Sequence, residues 1–345
     1  MKRRRRKRKK GLFLLTIVLV ICDIGAIMGF ILMYGPYDHF RNLFVTTAMK
    51  TRNHQYIAYV FYNKEVVQKI MKNNYFVEID EDVNLDDIII DTREKKQYKD
   101  KYEEELFTRD GNDSYKVINV KVGHAKGYLV AIYKPEKVRL LRTVKFNNGT
   151  FGERVVDMCS RYKGSVCING GGFANGLSNG SDIPLGYVID DGEVLWPGSN
   201  SKTRGNIIGI TDEGKLKLMN NTTGTEAIEA GIKYGLEFGP FLIVNGKSAN
   251  IKGNGGYGIA PRTAIGQRKD GIVLLLVIDG RSINSLGIDM SSMIDIFKRY
   301  KAYNAANLDG GGSSAMLADG VILNNPVNNG KETSRYISNA WILTN

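Results

Sequence analysis

Residues 2–10 read KRRRRKRKK, and a run of 23 residues, Leu12 to Tyr34, follows almost at once with a single charge, Asp23. As a helix rising about 1.5 Å per residue, the run reaches roughly 34 Å, enough for a hydrocarbon core of about 30 Å. Asp23 near its middle costs about 2.5–3.5 kcal/mol, which the surrounding Leu, Ile, Val and Phe side chains offset. The basic flank keeps the N-terminus cytoplasmic and sends residues from 36 onward across the membrane. A cleaved signal peptide is the competing reading, but the run is long for one and no A-x-A-like site follows it. A lipoprotein signal at Cys22 is disfavoured because Ile21 stands where a small residue is needed. A nuclear-localisation reading of the basic run leaves the apolar run unexplained. The expectation is a basic cytoplasmic tail over 1–10 and a single-pass anchor over 11–35, with the remainder outside the cell.

The net charge of +12 would suggest a nucleic-acid partner if it were spread over a surface. Nine of those charges sit in residues 2–10, so the rest of the chain is close to neutral and no nucleic acid is expected. The 345 residues, 43% of them hydrophobic, are enough for one large domain or two ordinary ones.

Two segments follow the anchor. Residues 36–113 carry apolar residues at mixed helical spacing and then a charged stretch, EIDEDVNLDDIIIDTREKKQYKDKYEEEL, poor in packing residues beyond its Ile triplet. They read as a helical stalk or linker with a solvated charged face. From about Ser114 to 345 the pattern becomes short strand-like runs punctuated by Gly, Asn and Asp: YKVINVKVG, GYLVAIYK, VCING, LGYVIDDGEVLW, NIIGITDEGKLKLM, PFLIVNGK, RTAIGQRKDGIVLLLVIDGR and DGVILNN. Helices are expected over about 152–162 and 291–300, the second capped by Asp289 or Ser291. The fold class is therefore α+β, mixed sheets with few helices, without βαβ alternation or a fixed-period repeat.

Several chemistries lack material. Of three histidines, only His124 falls in the strand-rich region, where it reads as a turn or sheet-surface residue. A His-based triad or a His/Cys zinc site is disfavoured, and no GxxxxGK[ST] motif occurs. Of three cysteines, Cys22 lies in the apolar run, and Cys159 and Cys167 stand eight apart. A bridge between that pair and two buried thiols are both open.

What remains is a set of Gly-rich turns at strand ends. INGGGFANG carries Asn169 with Gly170 and Gly171, APRTAIG carries Arg262, VIDGR carries Asp279 and Arg281, and NAANLDGGGSSAML carries Asn307, Asp309 and the loop Gly310, Gly311, Gly312, Ser313 and Ser314. Strand ends meeting at one sheet edge hold such groups on a rigid core. Successive glycines let backbone amides face an anion, arginines suit phosphate, and carboxylates suit chemistry at a sugar carbon.

In this order, with PLGYVIDDGEV and FGPFLIVNGK between them, the motifs resemble the phosphodiester glycosidase family, which includes the lysosomal uncovering enzyme and bacterial exopolysaccharide biosynthesis proteins. The resemblance spans about residues 114–345. It implies Gly-rich loops around one pocket and hydrolysis of the bond between an anomeric carbon and a phosphodiester oxygen. Asp309, Asp279, Arg262 and Asn169 would then be catalytic. Gly170, Gly171, Arg281, Asn307, Gly310 to Ser314 and Arg335, the last in SRYISNAW, would bind substrate. No cofactor is required, with Ca²⁺ held by the two carboxylates as the alternative. Ser292 stands where many relatives carry a glutamate, with Asp289 and Asp295 nearby. That departure favours the runner-up function, a non-catalytic module binding anionic glycans in exopolysaccharide or envelope assembly. A purely structural envelope protein, resting on anchor and stalk, is a third possibility.

Overall fold

The structure is a computed structural model and describes residues 2–51, 54–109, 111–148, 151–174, 180–198, 203–328 and 331–345. The chain forms two compact units, residues 1–75 with 256–258, and residues 76–255 with 259–345.

In the first unit one helix, Lys2–Tyr34, takes up both the basic and the apolar runs. Its Leu12–Tyr34 portion is long and apolar enough to cross a membrane, by length and composition. Three short helices follow, Asp38–Met49, Tyr56–Phe61 and Lys64–Asn73. The last begins where the Asn63 side chain accepts the Val66 amide at 2.9 Å, occupying one of the otherwise unpaired first-turn donors. Val45, Ala58, Tyr62, Val67 and Ile70 make the small core that holds them together.

The expected stalk over 36–113 is thus divided, because residues 76–113 belong to the second unit. Ile88 from the Ile triplet, with Leu106 and Phe107, is fully buried there. The helix Lys101–Phe107 is capped by Asp100, whose Oδ1 accepts the Tyr102 and Glu103 amides. Backbone bonds from Ile89 to Lys269 and from Asp91 to Asp270, and one from the Tyr133 hydroxyl to Leu106, tie the segment onto the sheets. Charge on its outer face hid three anchoring side chains.

Among the described residues, the second unit is built around three larger antiparallel sheets, with two-stranded pairings beside them. The seven-stranded sheet runs in the order Lys247–Ser248, Phe241–Val244, Ala302–Leu308, Arg262–Arg268, Val273–Ile278, Ala125–Ile132, Tyr115–Val122. A five-stranded sheet runs Val321–Ile322, Met316–Ala318, Val166–Asn169, Asn339–Leu343, Val138–Arg142. Another runs Leu216–Thr222, Gly205–Thr211, Ile232–Glu237, Tyr187–Asp190, Glu193–Pro197. Their inner faces share one core, in which Leu275, Ile265, Phe241, Ile168, Trp341, Ile210 and Leu236 are all buried. Continuous apolar runs such as VLLLVI are buried on both faces, which is why they lack strand alternation.

Helices are few, as expected. Val155–Arg161 falls within one anticipated segment and Met290–Arg299 overlaps the other, shifted by one residue and capped by Asp289, whose Oδ1 accepts the Ser292 amide at 2.9 Å. The strands Val138–Arg142 and Asn339–Leu343, paired with each other, were not anticipated. Cys159 and Cys167 are bridged, with Cα atoms 5.9 Å apart, so the helix Val155–Arg161 is stapled to the strand Val166–Asn169. His124 occupies the exposed turn between Tyr115–Val122 and Ala125–Ile132.

Candidate active site

Strand register assembles the site. In the seven-stranded sheet Arg262 lies opposite Ile278, and Thr263 lies opposite Leu308. One edge therefore receives the entry of the Arg262–Arg268 strand together with two exits, into Asp279–Gly280–Arg281 and into Asp309–Gly310. Motifs far apart in the chain become neighbours because antiparallel strands alternate their ends.

Asn169, the last residue of its strand, clips the five-stranded sheet to this edge. Its Nδ2 donates to the Asp309 carbonyl at 2.6 Å, and its Oδ1 accepts from the Thr263 hydroxyl at 2.9 Å and the Ala315 amide at 3.1 Å. The Asp309 amide in turn donates to the Gly170 carbonyl at 3.0 Å. Asn339 closes the other side, accepting the Gly170 amide on its carbonyl and the Gly171 amide on Oδ1 at 2.7 Å. A Cβ on Gly170 would come within 2.2 Å of that same Oδ1, so no other residue fits.

Gly311–Ser313 form a single 3-10 turn, and the Gly311 amide donates to the Pro261 carbonyl at 2.9 Å. Gly311 has φ +61°, and a Cβ there would lie 2.9 Å from Arg281 Nη2. The bare backbone lets the guanidinium rest against the loop. Arg281 itself sits at φ +59°, a conformation uncommon for a residue with a side chain. Burial around its guanidinium lowers its pKa, and the Asp309 charge opposes the shift. The residue keeps surface open to solvent, and an arginine stays charged in either case. Among the described residues, nothing hydrogen-bonds or ion-pairs with this guanidinium.

Asp309 is half-buried, and desolvation pushes its carboxyl pKa up. The Ser313 hydroxyl, the charges of Arg335 and Arg281, and the Gly310 amide pull the other way. Arg335 lies over the Phe173 ring at 4.6 Å, which fixes it beside the INGGGF turn. One buried oxygen at the site, Asn307 Oδ1, has no hydrogen-bond partner among the described residues. The remaining polar group of the Asn307 side chain, Nδ2, donates to the Gly239 carbonyl at 2.9 Å, so Oδ1 is fixed in place.

Several of the expected residues also brace the scaffold. Both ends of the Asn169 amide hold scaffold groups. Asp279 Oδ1 accepts the Asn325 amide at 2.8 Å and Asn324 Nδ2 at 3.2 Å, organising the segment after the glycine loop. Arg262 is buried, with Nε donating to the Ile288 carbonyl at 3.0 Å. Gly312 and Ser314 are buried in the loop, Ser314 Oγ lying 3.1 Å from the Thr263 hydroxyl.

Sequence reasoning missed Thr263, Asn324, Asn339 and Glu237. Glu237 Oε2 accepts the Tyr187 amide at 3.1 Å, and its carbonyl borders Gly171. A polar residue at the end or start of an apolar strand, as in GLEFGPF and SNAWIL, is the signal that would have pointed to Glu237 and Asn339. Among the described residues, no three His, Cys, Asp or Glu side chains group to hold a metal ion.

A model of the phosphodiester glycosidase family matches residues 162–344, more than half of the chain. The chain belongs to the phosphodiester glycosidase family. The matched span takes in every one of the glycine-bearing turns described above.

Among curated relatives, the SPbeta prophage-derived uncharacterized protein YomE of Bacillus subtilis (strain 168) is 32% identical over 197 residues, covering 53% of this chain and 29% of that protein. Mouse N-acetylglucosamine-1-phosphodiester alpha-N-acetylglucosaminidase is 31% identical over 196 residues, covering 56% of this chain and 34% of the mouse protein. The chain thus spans about a third or less of the length of these relatives. The catalytic domain of the zebrafish enzyme of the same name, solved auto-inhibited by its pro-peptide, superposes with a TM-score of 0.56 at 19% identity, covering 69% of this chain and 85% of that domain. A hypothetical protein from Synechocystis superposes with a TM-score of 0.50 at 16% identity, covering 66% and 61%. These structures share the fold.

Proposed function

We propose that the chain is a glycosidase acting on a sugar-1-phosphodiester, held at the outer face of a membrane by its first helix and acting on a cell-surface glycopolymer. One observation carries the reading: the Arg281 guanidinium, with no hydrogen bond or ion pair among the described residues, rests against the Gly311 backbone beside a carboxyl with a raised pKa, Asp309. A phosphodiester anion is what an unpaired, partly desolvated guanidinium beside a glycine loop would bind. Family membership, and the activity named for the mouse relative, support the same chemistry.

In this reading Arg281 and Arg335 neutralise the phosphate. As the bond from the anomeric carbon to the bridging oxygen breaks, its electron pair passes to that oxygen, and the phosphate monoester leaves without needing a strong acid. Asp309 takes a proton from the attacking water, and its negative charge favours the oxocarbenium-like centre. Water oxygen ends on the sugar and water hydrogen on Asp309. The raised pKa makes Asp309 a better base than an ordinary carboxylate. Asn307 Oδ1 is placed to receive a sugar hydroxyl. The basic tail before the helix orients the chain with this unit outside.

The test uses the full chain in detergent with alkyl diesters of sugar 1-phosphates. Release of free sugar, lost in Asp309→Ala, is the expected result. Saturable binding without turnover at any pH would instead establish the non-catalytic glycan-binding module.

A further inference from the structure

We propose that the helix Tyr56–Phe61 is a second membrane contact, seated in the lipid–water boundary where the apolar helix ends. The inference rests on reading Leu12–Tyr34 as a membrane span. Two hydrogen bonds fix the short helix to the end of that span. The Tyr34 hydroxyl donates to the Phe61 carbonyl at 3.0 Å, and the Tyr62 hydroxyl donates to the Met33 carbonyl at 2.7 Å. Ring contacts of Tyr34 with Tyr62 at 5.9 Å, and of Phe44 with Phe61 at 5.4 Å, complete the joint.

The inner side of this helix is satisfied by packing, with Ala58 fully buried among Val45, Val67 and Ile70. The outer side is apolar and bare. Tyr56, Tyr59 and Val60 are 62%, 45% and 68% exposed, at the i, i+3, i+4 spacing that makes one stripe. Tyr37 and Phe40, just past the span, extend the exposed set. A six-residue helix is about 9 Å long, so the stripe lies within about 10 Å of the span's end. The headgroup zone of each leaflet is of comparable depth, about 5–8 Å. Tyrosine suits that layer because its ring enters the acyl boundary while its hydroxyl stays among headgroups. The stripe's position is set by the helix that enters the lipid, and Tyr and Val are the side chains that such a boundary takes up. The partner is therefore a lipid surface.

Spin labels placed by Ile27→Cys, Tyr59→Cys, Val60→Cys or Lys69→Cys, each in a Cys22→Ser background, test this with the full chain in phosphatidylcholine nanodiscs. The other two cysteines are bridged and take no label. Labels at 59 and 60 are expected to collide with oxygen and to be several-fold less accessible to a water-soluble nickel chelate than the label at exposed Lys69. If both behave like position 69 while position 27 is lipid-shielded, the span stands and the second contact is overturned. If position 27 is also open to nickel, the span reading fails and takes the inference with it. Shielding of 59 and 60 from both oxygen and nickel marks a protein contact and equally overturns it.

Discussion

Asp309 is held in a state that costs stability at neutral pH. Its native pKa lies above the ordinary value near 4, so the folded chain binds this proton more tightly than the unfolded chain. Stability from this group is therefore present at low pH, falls as pH rises through the native pKa, and stays lower above it. Asp309→Asn is expected to lose at least about 100-fold in turnover yet melt higher than wild type at pH 7. The gain should vanish near pH 4, and a thermal melt at the two pH values checks it. The wild-type rate should fall on acidification with a midpoint above the usual carboxylate range, read from kcat/KM against pH. Arg281 carries the complementary expectation. Arg281→Lys keeps the charge but loses the planar fork, and at about 1.5–3 kcal/mol per charge-assisted bond KM should rise about 10- to 100-fold. Gly311→Ala puts a methyl against Nη2 at a left-handed backbone position and should impair activity with only a modest drop in melting temperature, about 1–3 kcal/mol of strain.

Most strands were legible because their apolar runs end in turn residues whose chemistry is local, as in DDGE, DEGK and RKDG. Asn339–Leu343 and Val138–Arg142 were not, because each takes its place by pairing with strands distant in the chain. The same distinction runs through the site. Glycine and acid or base pairs at strand ends mark where a pocket wall can stand, and Asp309, Arg281 and the 310–314 loop are there. Whether a given polar side chain faces a ligand or braces the wall depends on partners 45 to 140 residues away. Asn169 braces Asp309, and Asp279 braces Asn324 and Asn325, neither of which local sequence reveals. The Cys159–Cys167 pair was equally undecided by spacing. Closing an eight-residue separation removes chain entropy worth about 2.5 kcal/mol, so Cys159→Ser with Cys167→Ser should lower the urea midpoint accordingly.

At the scale of the molecule, the boundary near residue 75 matters more than the change of pattern at 114. A fragment of residues 114–345 discards Ile88, Leu106 and Phe107, whose burial is worth on the order of 5 kcal/mol. It should be far less stable than residues 76–345, and comparing their urea midpoints decides the matter. The strand Asn339–Leu343 has a different consequence. It lies between Val166–Asn169 and Val138–Arg142, and its first residue holds the amides of Gly170 and Gly171. A nascent chain interrupted before residue 339 therefore has a slot, not an edge, in that sheet, and one wall of its pocket has nothing to close on. Incomplete products would expose apolar strand faces to proteases and chaperones instead of persisting half-built. Synthesis through this strand is in effect a licence that the chain grants to its own candidate site.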